Sequence, residues 1–570
     1  MLTTTTTTNY NNPENRGHRS SDMPRTHWIS PAFIGTYSAM GFTFMGTLGG
    51  FALFAPLQND INNDLGPSSN IEYAPLLNVI LSAISIQIVG RMSDIFGRRW
   101  FFIIGTGIGL LASILGATAH SITQIIVSQA LFGISLGIGD SFFWVVSEIV
   151  PMKWRYLAVS GQYIYTFPGN PLAAKVAVAF QTQTNTHWRG CFYFLIGVNT
   201  AAILLWYFFY HPPTFETLHR GTQMKDLLRH FDWLGLLLYS AALVVFLLGL
   251  TWGGGTYAWN SPQVLACLIC GGALFLLFGL WEIYLPFPAT EPFLPLYLFR
   301  SMKFQSCVWL GAIGGAAYYG FSLVWPDAVR TLYTDLSADK QGTLSSVAIL
   351  CFTLGQMISG PIATCLGSKM GAISASIIAA PMLAAAAADP LNRQLTLGLV
   401  ATGCLFIGVL EGVSLIASTF PLKTQGEIGT AGGLVGTTRQ FLGSVATAVF
   451  TTVLRNREAT TIPQYVNPSV IEAGLPPSSI AALISGLNGA TPLNNETVPG
   501  YNSTIAEIAD SSWKTAHAQS YKTVFYVSFG FFAAALILSW FVPTFDRDKE
   551  DFVAGEVQRT TQEAPTDPKE

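Results

Sequence analysis

Long apolar runs alternate with short polar connections along almost the whole chain. They fall at about 31–56, 71–90, 100–119, 122–147, 159–180, 190–210, 233–251, 262–284, 304–326, 343–367, 370–388, 395–420, 428–453 and 521–542. Each is close to the roughly 20 apolar residues that a helix needs to cross a bilayer. Lipid offers no partner to a backbone N–H or C=O, so runs of this length read as helices, whose backbone bonds close internally. The pattern therefore predicts an all-α membrane protein with fourteen spans. A shorter run at 476–490, flanked by prolines, reads as part of a loop.

Composition agrees with the pattern. Half of the 570 residues are hydrophobic (50%) and only 11% are charged, against about 25% charged in soluble domains. A net charge of −3 gives no basic surface for a polyanion, so nucleic acid is excluded as a partner. The seven cysteines lie in or beside apolar runs with no histidine pair following them, so no metal site is expected. Cys267 and Cys270 form a CxxC inside a predicted span and read as small apolar residues. No HExxH, GxSxG, P-loop or dinucleotide fingerprint stands in a suitable loop. An enzyme, an ATP-driven pump and any cofactor are not expected. The Thr-rich N-terminal tail carries no signal-peptide pattern, so the first apolar run is expected to serve as an uncleaved anchor.

Basic residues orient the spans. With the N-terminus in the cytoplasm, the cytoplasmic connections hold twelve Lys and Arg, and the short outer ones hold only Arg189, Arg330, Lys340 and Arg393. Arg455 and Arg457 mildly disagree, at the start of a long outer loop where the rule does not apply. That loop, about 454–520, also carries the sequons at Asn495 and Asn502, which require a lumenal or extracellular face.

Charge at membrane depth is costly and faces a bundle interior or a cavity. The deep charges are Asp140 in the fourth span, Lys175 in the fifth, Glu411 in the twelfth and Arg439 in the thirteenth. An internal ion pair that only ties helices together is the plain alternative to a functional role. Arg439 is placed to pair with Glu411, which leaves Asp140 as the freer acid, unless Asp140 pairs with Lys175 on the next span. Gln129 and Asp140 differ by only about 20° in direction on one helix, so they share a face.

The connection after the second span reads Gly90-Arg91-Met-Ser-Asp94-Ile-Phe-Gly97-Arg98-Arg99. Glycine permits close helix approach and a tight turn, Asp94 suits the positive end of a helix, and the arginines suit the cytoplasmic interface. The segment resembles the G-x-x-x-D-x-x-G-R-[KR] loop of the major facilitator superfamily. After the fourth span, Glu148, Pro151 and Arg155 match that superfamily's E-x-x-P-x-x-x-R element. Two elements depart from it: Gln129 stands where an arginine is usual, and Phe167-Pro-Gly-Asn-Pro171 replaces the antiporters' G-P-x-x-G-G. His187-Trp-Arg189, Phe231-Asp-Trp-Leu-Gly235 and Glu291-Pro-Phe-Leu-Pro-Leu-Tyr-Leu-Phe-Arg300 extend the likeness to the fourteen-span fungal trichothecene efflux pump group, near the siderophore transporters, over about residues 30 to 545.

The resemblance implies a disordered cytoplasmic tail (1–30), a six-helix half (31–210), a linker with two extra helices (211–300), a second half (301–545) that includes the outer loop, and a second cytoplasmic tail (546–570). It implies a midplane cavity lined by spans one, four, nine and twelve, which hold Asp140, Glu411 and the aromatic residues Tyr318, Tyr319 and Trp325. It also implies Glu148 as a latch on the loop's arginines. The expected function is proton-coupled efflux of a hydrophobic small molecule such as a toxin, across the plasma membrane or a vacuolar or vesicle membrane. Uptake of a ferric siderophore and a non-transporting sensor are the alternatives.

Overall fold

The computed structural model describes residues 18–19, 28–212, 229–254, 257–284, 292–294, 297–421, 425–487, 493–494, 496–544 and 552–553. Asn495, residues 213–228 of the expected linker and nearly all of both expected tails lie outside them. The described helices are α1 (Pro31–Ala52), α2 (Gln58–Leu65), α3 (Tyr73–Phe96), α4 (Arg99–Ala117), α5 (Ile122–Gly139), α6 (Phe142–Ile149), α7 (Arg155–Gly161), α8 (Ala173–Gln183) and α9 (Arg189–Phe209). They continue with α10 (Trp233–Trp252), α11 (Pro262–Tyr284), α12 (Met302–Leu332), α13 (Ala338–Leu366), α14 (Ser368–Ala385), α15 (Arg393–Ala417), α16 (Gln425–Glu472), α17 (Ile480–Leu487) and α18 (Ser503–Ser539). The one described strand pair joins the tails, His18–Arg19 antiparallel to Phe552–Val553.

Helix starts follow local capping chemistry. Ser30, Ser121, Asp232, Ser301, Asn392 and Asn502 each accept a bond from a backbone N–H in the first turn of their helix, which satisfies donors that have no partner inside the helix. Among the described residues, twelve helices are long and apolar enough to cross a membrane. The apolar runs at 159–180 and 428–453 are built differently. Pro168 and Pro171, which cannot continue a helical ladder, separate α7 from α8. The other run is the first part of α16, whose 48 residues make a rod of about 72 Å, more than twice the ~30 Å hydrocarbon thickness.

The stretch expected as a loop at 454–520 is therefore largely helical. Outside lipid the apolar run stops but the helix does not, because α16 and α18 pack on one another as amphipathic partners. Together with α17 they enclose their own small core of Val466, Val470, Leu475, Leu483, Val498, Ile505 and Trp513. We call this hairpin the stalk, and the side it stands on the stalk end. The Gly90–Arg99 segment marks the opposite, loop end.

Helices α1 and α3–α9 form one half, and α12–α16 with α18 form the other. The halves meet along two seams, α3 on α16 and α7–α8 on α13. Helices α10 and α11 pair with each other, and α10 lies on both α3 and α16.

Candidate functional site

Polar side chains converge where the halves meet. Asp140 follows the last turn of α5. Its Oδ2 accepts a bond from Gln440 Nε2 of α16 at 2.8 Å and lies 3.7 Å from Arg439 Nη1. Arg439 Nε donates to Glu411 Oε1 of α15 at 2.5 Å, and Gln356 of α13 donates to Glu411 Oε2 at 2.7 Å. One guanidinium thus stands between a carboxylate of each half. Glu411 is fully buried and the Asp140 side chain is 8% exposed, so neither is screened by bulk water. The Arg439 guanidinium also lies over the rings of Tyr318 and Tyr319, 5.6 and 5.7 Å from their centroids. Such crowding needs small neighbours: a side chain at Gly314 or Gly315 of α12 would fall on Glu411 or Arg439.

This cluster borders a cavity lined mainly by Phe44, Leu48, Ile86, Phe142, Phe143, Tyr163, Tyr318 and Leu415. Asn170, in the break between α7 and α8, closes it by accepting a bond from the Tyr318 hydroxyl at 2.7 Å. Its free space for water centres is about 20 Å³, room for about one water molecule. A ligand of drug size needs a few hundred Å³, so the halves must part before one fits.

Three residues expected at the cavity stand elsewhere. Lys175, the alternative partner of Asp140, lies instead at the stalk end, where Nζ is 3.4 Å from Asp339 and donates to Thr343 at 2.9 Å. The chain leaves the helix between α7 and α8, and α8 packs on α13, which carries Asp339 and Thr343. Trp325 is buried, but its indole N–H donates to the Leu344 carbonyl at 2.8 Å, away from the cavity lining. Gln129 is buried between helices. It accepts from Asn78 Nδ2 at 3.2 Å and donates to the Gly50 carbonyl at 3.2 Å.

The loop end is closed by a second buried network. The Asp94 carboxylate, 3% exposed, accepts from Arg98 at 2.7 Å. Across the seam it accepts from the Thr430 backbone N–H of α16 at 2.9 Å and from the Thr430 hydroxyl at 3.3 Å. Arg98 also pairs with Glu148 of α6. Gly97 makes the turn with a φ of 90°, a conformation that strains any side chain. Gly90 packs against Gly429, and Arg91 is buried beside the Asp94 network. Arg99 donates to the Tyr207 carbonyl at 2.8 Å. Pro151 opens the turn that leads to Arg155. Arg155 is fully buried and donates to the Thr419 carbonyl of the other half at 3.1 Å, with Tyr156 stacked on Phe420 at 5.1 Å.

Sequence reasoning missed Gln356, Gln440, Thr430 and Thr419. The two glutamines carried a usable signal, since each is an amide inside an apolar run. The two threonines carried none, because one acts partly and the other wholly through its backbone.

The sequence model of the fungal trichothecene efflux pumps matches residues 15–566. The chain belongs to that family. It is 24% identical to the trichothecene efflux pump of Fusarium sporotrichioides, over 91% of this chain and 87% of that one. It is 27% identical to the pump of the same description in Trichoderma arundinaceum, over 92% of this chain and 89% of that one. Among solved structures, a proton:xylose symporter of the major facilitator superfamily aligns with a TM-score of 0.54 at 13% identity, covering 94% of this chain and 99% of the symporter. The transporter therefore has the major facilitator fold.

Proposed function

We propose that the transporter spans the plasma membrane fourteen times and exports a hydrophobic small molecule, a fungal toxin or secondary metabolite, in exchange for protons. The observation that carries this reading is the Asp140–Arg439–Glu411 cluster, set in an aromatic cavity where the halves meet. Family membership supports efflux. Beside the cluster the lining is largely aromatic and aliphatic, which suits a bulky, weakly polar molecule.

The cycle follows from charge. A proton from outside neutralises Asp140, and Arg439 is left to Glu411 alone. The halves then lose a charge-assisted tie and part at the loop end. The proton leaves to the cytoplasm as substrate takes its place in the cavity. Recharged Asp140 draws Arg439 back, the loop end closes, and the stalk end opens to release the substrate. Both tails are cytoplasmic in this arrangement and the stalk is extracellular. Asn502, exposed at the start of α18, is then open to glycosylation, as is Asn495.

Expression in sensitive cells with a panel of toxins, with and without an uncoupler, tests the reading. We expect toxin export that the uncoupler abolishes. Export that survives the uncoupler would refute the coupling, and accumulation of a labelled ferric siderophore would refute the direction. Asp140→Asn mimics the protonated state and should lose gradient-driven export while keeping ligand binding. Unchanged export with unchanged pH dependence would remove Asp140 from the cycle.

A further inference from the structure

The two seams between the halves are walled differently. Behind α3 and α16 stands the extra pair. Phe246 of α10 stacks on Phe441 of α16 with centroids 5.6 Å apart. Trp259, between α10 and α11, donates to Thr452 at 3.2 Å, and Arg455 donates to the Gly254 carbonyl at 3.2 Å. Because α10 lies on both α3 and α16, it splints one half to the other. A molecule crossing that seam from lipid would have to pass two layers of helix.

At the other seam the wall is one helix thick among the described residues. Tyr163 lines the cavity, and Ile164 beside it is 59% exposed on the outer face. On α13, Gln356 lines the cavity and Ile358, two residues on, is 40% exposed. The wall is also weak along its length. Span five leaves the helix between α7 and α8, so the wall is not one continuous helix there. Burial of apolar groups in lipid is favourable, so an apolar substrate concentrates in the bilayer, beside this wall.

We infer that the seam between α7–α8 and α13 is a side portal through which apolar molecules dissolved in the membrane reach the cavity, while α10 and α11 hold the opposite seam shut. The inference rests on the export reading only for the identity of the cargo. Access itself can be read without transport.

The test uses the full-length transporter in lipid nanodiscs, photolysed with a membrane-dissolved aryl trifluoromethyl diazirine, with adducts mapped by mass spectrometry. We expect adducts on Ser160 and Tyr156 at the bare seam and on Phe142 and Phe143 in the cavity. Adducts on Ala83 and Thr437, which meet at the splinted seam, should be at least tenfold fewer. Equal labelling of the two seams, or none on the bare one, would overturn the portal. In Val178→Cys/Gly342→Cys, a Cβ at 342 stands 3.5 Å from that of Val178 across the same seam, within the reach of a disulfide once oxidised. The bridge should remove the cavity adducts at least tenfold and reduction should restore them. Cavity labelling unchanged by the bridge would also overturn the portal. If that variant does not fold, the comparison of seams in the natural protein decides alone. A protein that exports nothing yet labels as expected would contradict the export reading and leave the portal standing.

Discussion

The two ends of the bundle are both closed, but by unlike means. At the loop end the ties between halves are buried. The Asp94 carboxylate is 3% exposed and Arg155 is fully buried. At the stalk end they are wet. Lys175 and Asp339 are 42% and 55% exposed, and Arg330 reaches the Pro56 carbonyl at 3.0 Å from an exposed position. Losing a hydrogen bond to a buried charge costs about 1.5–3 kcal/mol. An exposed pair contributes about 0–1 kcal/mol. The difference teaches which end holds the resting state. The loop end is latched and the stalk end only rests closed, as suits a pump that must not leak substrate back into the cytoplasm.

Asp94→Asn attacks the stronger side of this contrast and should have the largest effect. It leaves Arg98 with Glu148 alone and weakens the tie to Thr430. A loss of about 2 kcal/mol, the worth of hydrogen bonds to a buried charge, shifts the balance of inward and outward states about thirtyfold. Export should nearly vanish while protein level and membrane location persist, as read by transport beside a Western blot of membranes. Normal export would make the segment a topology signal only. Arg155→Ala comes next. It removes one cross-half bond but also relieves a buried charge, so we expect a partial loss of export, smaller than for Asp94→Asn. A loss as complete as that of Asp94→Asn would mean that Arg155, and not the Asp94 network, is the main latch. Lys175→Ala should have the smallest effect, within about 1 kcal/mol, and leave export within a few-fold of normal. Abolished export in a folded Lys175→Ala would reverse the contrast between the ends.

The loop-end latch was legible because its chemistry is local: Gly90, Asp94, Gly97, Arg98 and Arg99 fall within ten residues at the junction of α3 and α4. The central charges were legible one by one, since Asp140, Glu411 and Arg439 interrupt apolar runs. The Arg439–Glu411 pair was legible too, but that Arg439 also reaches Asp140 was not, because it depends on how α16 is turned against α5, and no sequence period encodes that. Lys175 was misplaced for a related reason. The prolines near it were visible, but the direction of the chain after a break is set by packing on α13. The stalk was hidden because apolar content marks where lipid ends, not where a helix ends, and α16 and α18 continue on amphipathic contact with one another.

The contrast between ends is tested most directly by distances between spin labels in the reconstituted protein. One pair, at exposed Trp100 and Met370, spans the halves at the loop end, and another, at Thr182 and exposed Leu391, spans them at the stalk end. The account predicts a short, narrow loop-end distance in the natural protein and a broader, longer one in Asp94→Asn, with the stalk-end pair moving the opposite way and neither pair moving in Lys175→Ala. A loop-end distance unchanged by Asp94→Asn, or opened instead by Lys175→Ala, would contradict it.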